Sequence, residues 1–186
     1  MSTTKIILMN KEEFLKDIDN FSNHRVLLWA ALQLTDGDVV EFGSGEGSTP
    51  YLRKYCQENN RFFFSFENNE DWAILTRSNL IKDWDELNYQ KIDILFIDHA
   101  PGERRKVDLM KYKDVAKIIV IHDSEPKGWN GSDYGVRELF TQFKYKADVM
   151  PIHPEGAWAT ILSNSIDVTS CIGNTFESHE IIKFQE

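Results

Sequence analysis

Only two of the 186 residues are cysteine, Cys56 and Cys171, which lie far apart and in no metal-ligand spacing. Neither a disulfide framework nor a zinc-thiolate centre is therefore expected, and free thiols in a reducing cytoplasm are the natural reading. Positive charge is also short: 21 Lys and Arg face 30 Asp and Glu, a formal net charge of -9. A nucleic-acid partner needs a concentrated basic surface, so this balance argues against one, although Arg104-Arg105-Lys106 forms a local basic cluster. No run reaches the roughly 18 apolar residues of a membrane span, and no basic segment leads into an apolar one at the amino terminus. Internal repeats and low-complexity tracts are missing as well. What remains is a globular composition of suitable length for one domain with a substantial core.

Along the chain, apolar residues from Lys11 to Leu34 recur at helical intervals, with a break near Asn20 to Asn23, so two helices lead in over residues 1–36. A cofactor-sized core is expected over 37–164, and 165–186 reads as a tail. The first strand is "DVVEF", Asp38 to Phe42. Thr49-Pro50 reads as the cap and first turn of the helix that follows. "RFFFSFE" is a second strand, "NNEDWAILTRSNL" a helix and "NLIKDW" a short third strand. "KIDILFIDH" and "AKIIVIHD" are the fourth and fifth, with "ERRKVDLMKY" helical between them. The loop "SEPKGWNGSDYG", a helix near Val136 to Phe143, and closing strands in "ADVMPI" and "AWATILS" complete the pattern. Continuous apolar strands alternating with helices call for a Rossmann-like, doubly wound α/β fold, mostly parallel, of about seven strands with an antiparallel closing strand. Such sheets bind ligands beyond the carboxyl ends of their strands, where strand order reverses.

"EFGSGEGSTP", residues 41 to 50, sits at such a place. Gly43, Gly45 and Gly47 leave the backbone bare after the first strand, where a ligand can approach closely. The next helix offers unpaired N–H groups to a polar or anionic ligand. Glu67 ends the second strand, where a carboxylate can accept both hydroxyls of a ribose. The spacing is GxGxG, preceded by Glu41, rather than the GxGxxG of dinucleotide binders.

"VVEFGSGEGS", the strand-ending Glu67, "ILFIDH" and "IIVIHD" together resemble the class I S-adenosylmethionine-dependent methyltransferases, over roughly Asp38 to Ser163. The resemblance implies S-adenosylmethionine as cofactor. It places Glu41, Gly43, Gly45, Gly47 and Ser48 around the amino-acid end, Glu67 on the ribose, and Asp83 or Trp84 near the adenine.

Asp98 and Asp123 end neighbouring strands four and five, so their carboxylates should face one crevice. Two such charges need a cation between them, and Mg²⁺, Ca²⁺ or Mn²⁺ suits their hard oxygens; solvation or an arginine is the other reading. "FIDH" is similar to the metal-dependent O-methyltransferases typified by catechol O-methyltransferase, which implies Asp98 and Asp123 as ligands of Mg²⁺ or another divalent cation. Ser124 and Pro101 stand where those enzymes carry a third ligand and a lysine. His99 is the expected general base with Asp98, whereas strand alternation turns His122 away into a structural role. Arg104 and Arg105 are expected to grip a substrate carboxylate or phosphate, unless one of them answers the two aspartates. Trp129 and Tyr134 are expected to cover a small-molecule acceptor. The functional expectation is methyl transfer to a small acceptor, through oxygen. A nicotinamide-dependent dehydrogenase and a non-catalytic nucleoside-binding module are the alternatives.

Overall fold

The computed structural model describes residues 9–19, 21–129, 134–151, 153, 155–172 and 181–183. Helices α1 (Lys11–Phe14) and α2 (His24–Leu34) lead in, and the break between them lies where the periodicity lapses. Then follow β1 (Val39–Phe42), α3 (Thr49–Glu58), β2 (Phe63–Glu67), α4 (Glu70–Thr76) and the two-residue β3 (Asn79–Leu80). Further on come β4 (Ile92–Ile97), α5 (Arg105–Tyr112), β5 (Ala116–His122), β6 (Tyr145–Val149) and β7 (Ala159–Ser163). The expected helix near Val136 is a 3-10 turn, Arg137–Gln142. Of the glycine-rich loop after β5, residues 130–133 lie outside the described part. The expected tail supplies α6 (Thr169–Ile172) and β8 (Ile181–Lys183).

One sheet joins all eight strands in the order β3-β2-β1-β4-β5-β7-β6-β8. Neighbours from β3 to β5 are parallel, and β7 runs antiparallel between β5 and β6. Strand order reverses at β1, where β2 lies on one side and β4 on the other, so the crevice opens above β1 and β4.

Alternation along the strands sorts their side chains into two cores. Val39, Ile94, Phe96, Ile118 and Val120 pack with Leu27, Leu28 and Leu52 under α2 and α3. Val40, Phe42, Leu95, Ile97, Ile119 and Ile121 pack on the other face with Trp84, Leu109, Tyr112 and Phe140. The strands read as unbroken apolar runs because both faces are covered. The register pairs Glu41 with Phe96 and Phe96 with Val120. One pleat further on, that row becomes Gly43, Asp98 and His122, and it opens on the α2 side of the sheet.

Candidate functional site

The glycine loop is built by close approach. Gly43 has φ +87°, and a Cβ there would stand 2.4 Å from the His99 nitrogen and 2.5 Å from the Asp98 carbonyl carbon. Only glycine suits both the left-handed torsion and the neighbouring backbone of β4. Gly45 differs, since a Cβ on it would meet nothing within 4 Å. Gly47 faces the lead-in helix, where its Cβ would lie 3.3 Å from Ser22 Cβ and 3.7 Å from His24 Nε2.

Glu67 comes to this loop from β2. Its Oε2 accepts the Ser44 N–H at 2.9 Å, and its Oε1 accepts the N–H groups of Asn68 and Asn69, also at 2.9 Å. The Ser44 hydroxyl stands 3.4 Å from Oε2 and pairs more closely with Thr76 Oγ1 at 2.8 Å, so a ligand hydroxyl can take its place on the carboxylate. The bare loop and the acid of the second strand thus form one wall.

Glu41 departs from its expected role. It is fully buried, and its carboxylate accepts the hydroxyls of Ser48 at 2.5 Å, Thr49 at 2.8 Å and Ser65 at 2.5 Å. Burial pushes its pKa up to about 7 against the pull of those donors. Glu41 and Ser48 therefore brace the loop from beneath, and Ser48 rather than Thr49 stands at the helix N-cap. The Thr49 hydroxyl also accepts the Gly45 N–H at 2.9 Å, which holds the loop closed on itself.

Asp83 and Trp84, expected near the base, serve the loop after β4. Asp83 caps a 3-10 turn through the Asp85 N–H, while the buried Trp84 indole donates to Ala100 O at 3.0 Å and stacks on His99 at 4.3 Å. His99 is 1% exposed, with Nε2 at 2.9 Å from Asp108 Oδ2. It lies on the Phe42 and Trp84 side of the sheet, opposite Asp98, because adjacent residues of an extended strand point to opposite faces. The expected pairing of His99 with Asp98 in catalysis is corrected on that ground.

His122 occupies the place assigned to His99. Its Nδ1 is 3.2 Å from Asp98 Oδ1 and 3.7 Å from Asp123 Oδ1. Alternation was applied one residue out of step: Val120 and His122 share the face of Phe96 and Asp98. Asp123 lies beyond the strand with φ +51°, and that left-handed turn brings its carboxylate back to the cluster. Burial alone would lower the His122 pKa, but Asp98 overrides this and raises it. Burial would likewise raise Asp98, yet His122 and Arg105 hold it down at about 2.

The cation between the two aspartates is Arg105. Its Nη2 is 3.1 Å from Asp98 Oδ1 and its Nη1 is 2.7 Å from Asp123 Oδ2. The same side chain donates to the carbonyls of Asp98, His99 and His122. The Ser124 hydroxyl turns away to Thr160 at 2.7 Å. Asp98, Asp123 and Ser124 therefore do not fit a Mg²⁺ ion, because a guanidinium fills the space between the acids and the third oxygen is spent elsewhere. Neither arginine is placed to grip a substrate. Arg104 Nε reaches Asp108 at 3.0 Å and its Nη2 reaches Asp85 at 2.7 Å, and Asp108 and Asp85 raise its pKa. Tyr134 packs on Gly102 and lies 5.2 Å under the Arg105 guanidinium, while Trp129 meets Trp158 edge to face and donates to Gly156 O.

Two members of the site escaped the sequence reading. His24, the first residue of α2, stacks on Phe96 at 4.8 Å and meets His122 edge to face at 4.6 Å. It is 3% exposed, and neither ring nitrogen has a partner of hydrogen-bond geometry; the Gly47 main chain approaches too loosely to count as one. Burial lowers its pKa to about 3, so the ring is neutral. Glu125, two residues past Asp123, is buried with Oε2 unpartnered, and burial pushes it up to about 7. "HDSE" was a visible signal for Glu125. His24 had none, since its partners lie some 75 and 100 residues away, a separation that only packing closes.

A groove of about 490 Å³ opens on the outer flank of the loop between α3 and α4, lined by Glu46, Pro50, Tyr51, Arg53, Leu75, Thr76 and Arg77. It shares no lining residue with the Asp98 cluster, so the chemistry is placed by the strand ends and not by this groove.

No family model matches the chain, and no curated protein sequence matches it significantly. Solved structures do. An O-methyltransferase from Bacillus cereus in complex with SAH superposes with a TM-score of 0.56 at 14% identity, over 79% of this chain and 82% of that one. Cofactor-bound Rv0187 from MTB gives 0.57 at 14%, over 87% and 84%. Spermidine synthase from Thermotoga maritima gives 0.58 at 17%, over 88% of this chain and 64% of that one. At such identities the likeness is one of fold: the chain has the Rossmann-like fold of the class I S-adenosylmethionine-dependent methyltransferases.

Proposed function

We propose that the chain transfers a methyl group from S-adenosylmethionine to a small acceptor through an oxygen atom. The observation that carries this reading is the bond from the Ser44 N–H to Glu67 Oε2 beside the open face of Gly45, which joins the bare loop and the acid of the second strand into one wall. Glu67 would accept the ribose hydroxyls, and the main chain of Gly45 and its neighbours would lie against the methionine end. The likeness in fold to an O-methyltransferase in complex with SAH supports the choice of ligand.

The sulfonium already activates the methyl group, so the protein must chiefly align the acceptor and manage its proton. Asp98, His122 and His24 are the polar groups gathered at the next strand ends, on hand to bind an acceptor hydroxyl, and His122, paired with Asp98, is the one to receive its proton. His122, and after it Arg105, keep Asp98 ionised for this work.

Calorimetric titration with S-adenosylhomocysteine tests the assignment, with saturable binding of one molecule per chain expected. No heat at millimolar ligand would overturn it, and binding of NADH in its place would move the chain to the dehydrogenase reading. Cofactor binding without consumption across a panel of phenols, sugars and acids would leave a nucleoside-binding module.

A further inference from the structure

We propose that His24, Asp98 and His122 together hold a divalent transition-metal ion. Among the described residues these three form a group whose donor atoms all lie within 4.8 Å of one another. Three elements deliver them: the first turn of α2, the end of β4 and the end of β5. His122 Nδ1 and Asp98 Oδ1, hydrogen-bonded at 3.2 Å, are already spaced near the edge of about 3.3 Å expected between two ligands of a tetrahedral zinc ion, so an ion that displaces the shared proton would find them in place. The ion would draw His24 in toward that edge.

The fold leaves buried polar atoms here without an occupation. Buried ring nitrogens cost free energy unless they are paired. His24 Nδ1 and His24 Nε2 are both buried and unpartnered, on a ring in contact with that of His122, whose Nδ1 faces Asp98 Oδ1. A lone histidine of this kind is packing; one set against a second histidine that faces a carboxylate, with all donor atoms within 4.8 Å, completes a donor set. Two imidazoles and one carboxylate favour zinc and its transition-metal neighbours over magnesium, which prefers oxygen donors and retained water. Three protein ligands leave a coordination position open, as catalytic zinc sites do. The Gly47 turn borders the group, since a Cβ on that glycine would stand 3.7 Å from His24 Nε2. If the methyl-transfer reading holds, the open position would bind the acceptor oxygen and lower its pKa.

The experiment is run on the full chain, stripped of metal by a chelator, with no nucleoside present. Zn²⁺ is titrated by calorimetry and Co²⁺ by visible absorption. One ion per chain is expected, with the Co²⁺ bands of a four- or five-coordinate nitrogen-bound site and no competition from millimolar Mg²⁺. His24→Gln and His122→Gln should each weaken Zn²⁺ at least 10-fold and abolish the rise in melting temperature that Zn²⁺ gives the wild type, while His153→Gln keeps both. Circular dichroism reports whether each variant is folded, and the wild-type Co²⁺ spectrum decides the matter if one is not. The proposal is overturned by Zn²⁺ uptake undiminished in both variants, by loss of uptake in His153→Gln alone, by an octahedral Co²⁺ spectrum, or by Mg²⁺ competing on equal terms. Because cofactor and metal are titrated separately, failure of one reading leaves the other standing.

Discussion

Gly43 and Gly45 are two residues apart and look alike on paper, yet their surroundings assign them opposite consequences. A methyl group at 43 would strike the backbone of Asp98 and His99 and meet an unfavourable torsion, whereas a side chain at 45 would enter open space. Gly43→Ala is expected to cost at least about 2 kcal/mol in urea unfolding. Gly45→Leu should unfold like the wild type while losing S-adenosylhomocysteine binding more than about 10-fold, about 1.4 kcal/mol or more, by calorimetry. Glu41 adds a dependence on pH. Its folded pKa is raised from 4.5 to about 7, so between those values the native state keeps a proton that the unfolded chain has released. Stability should therefore fall as pH rises through that window, by about 3 kcal/mol from Glu41 with a further contribution from Glu125, and Glu41→Gln should reduce the slope measured by denaturant titration.

At the scale of elements, the ends of β4 and β5 are tied by one side chain from the start of α5. Arg105 binds three carbonyls and two carboxylates there while only 6% exposed. Removing one partner from a buried ionic group strands the others. Arg105→Ala is expected to destabilise the protein by about 3–5 kcal/mol, read from the unfolding midpoint, and to let the Asp98 carboxyl titrate at a higher pH. Most elements were legible in the sequence because periodicity is local: β1, β2, β4 and β5 lie where the apolar runs stand, and even the two-residue β3 falls within "NLIKDW". The helix past the glycine loop proved tighter than expected, a 3-10 turn, and the tail yielded a further edge strand. The misreading of His99 and His122 came from the register. Alternation counted from Asp123, which lies past the strand end, puts the two histidines on the wrong faces, while Asp98 and Asp123 meet in the crevice as expected.

For the whole molecule, a ligand that binds only the folded chain must raise its melting temperature by mass action. With S-adenosylhomocysteine at about 100 times its dissociation constant the gain is about 2.7 kcal/mol, or about 5–10 °C for a chain of this size. A calorimetric scan that shows no shift at that concentration would contradict the binding seen by titration. No helix among the described residues is long and apolar enough to cross a membrane, in keeping with the lack of long apolar runs. The doubly wound alternation of strands and helices, and the glycine loop and Glu67 at neighbouring strand ends, follow from patterns a few residues to a few dozen long, and these the sequence determined by itself. Only the tertiary structure decided that an arginine fills the gap between Asp98 and Asp123, and that His24 joins His122 beyond it. Composition and spacing record which groups a chain owns. Which of them neutralise one another depends on helices packed across a sheet, where residues far apart in sequence come within a few ångströms and compete for the same charges.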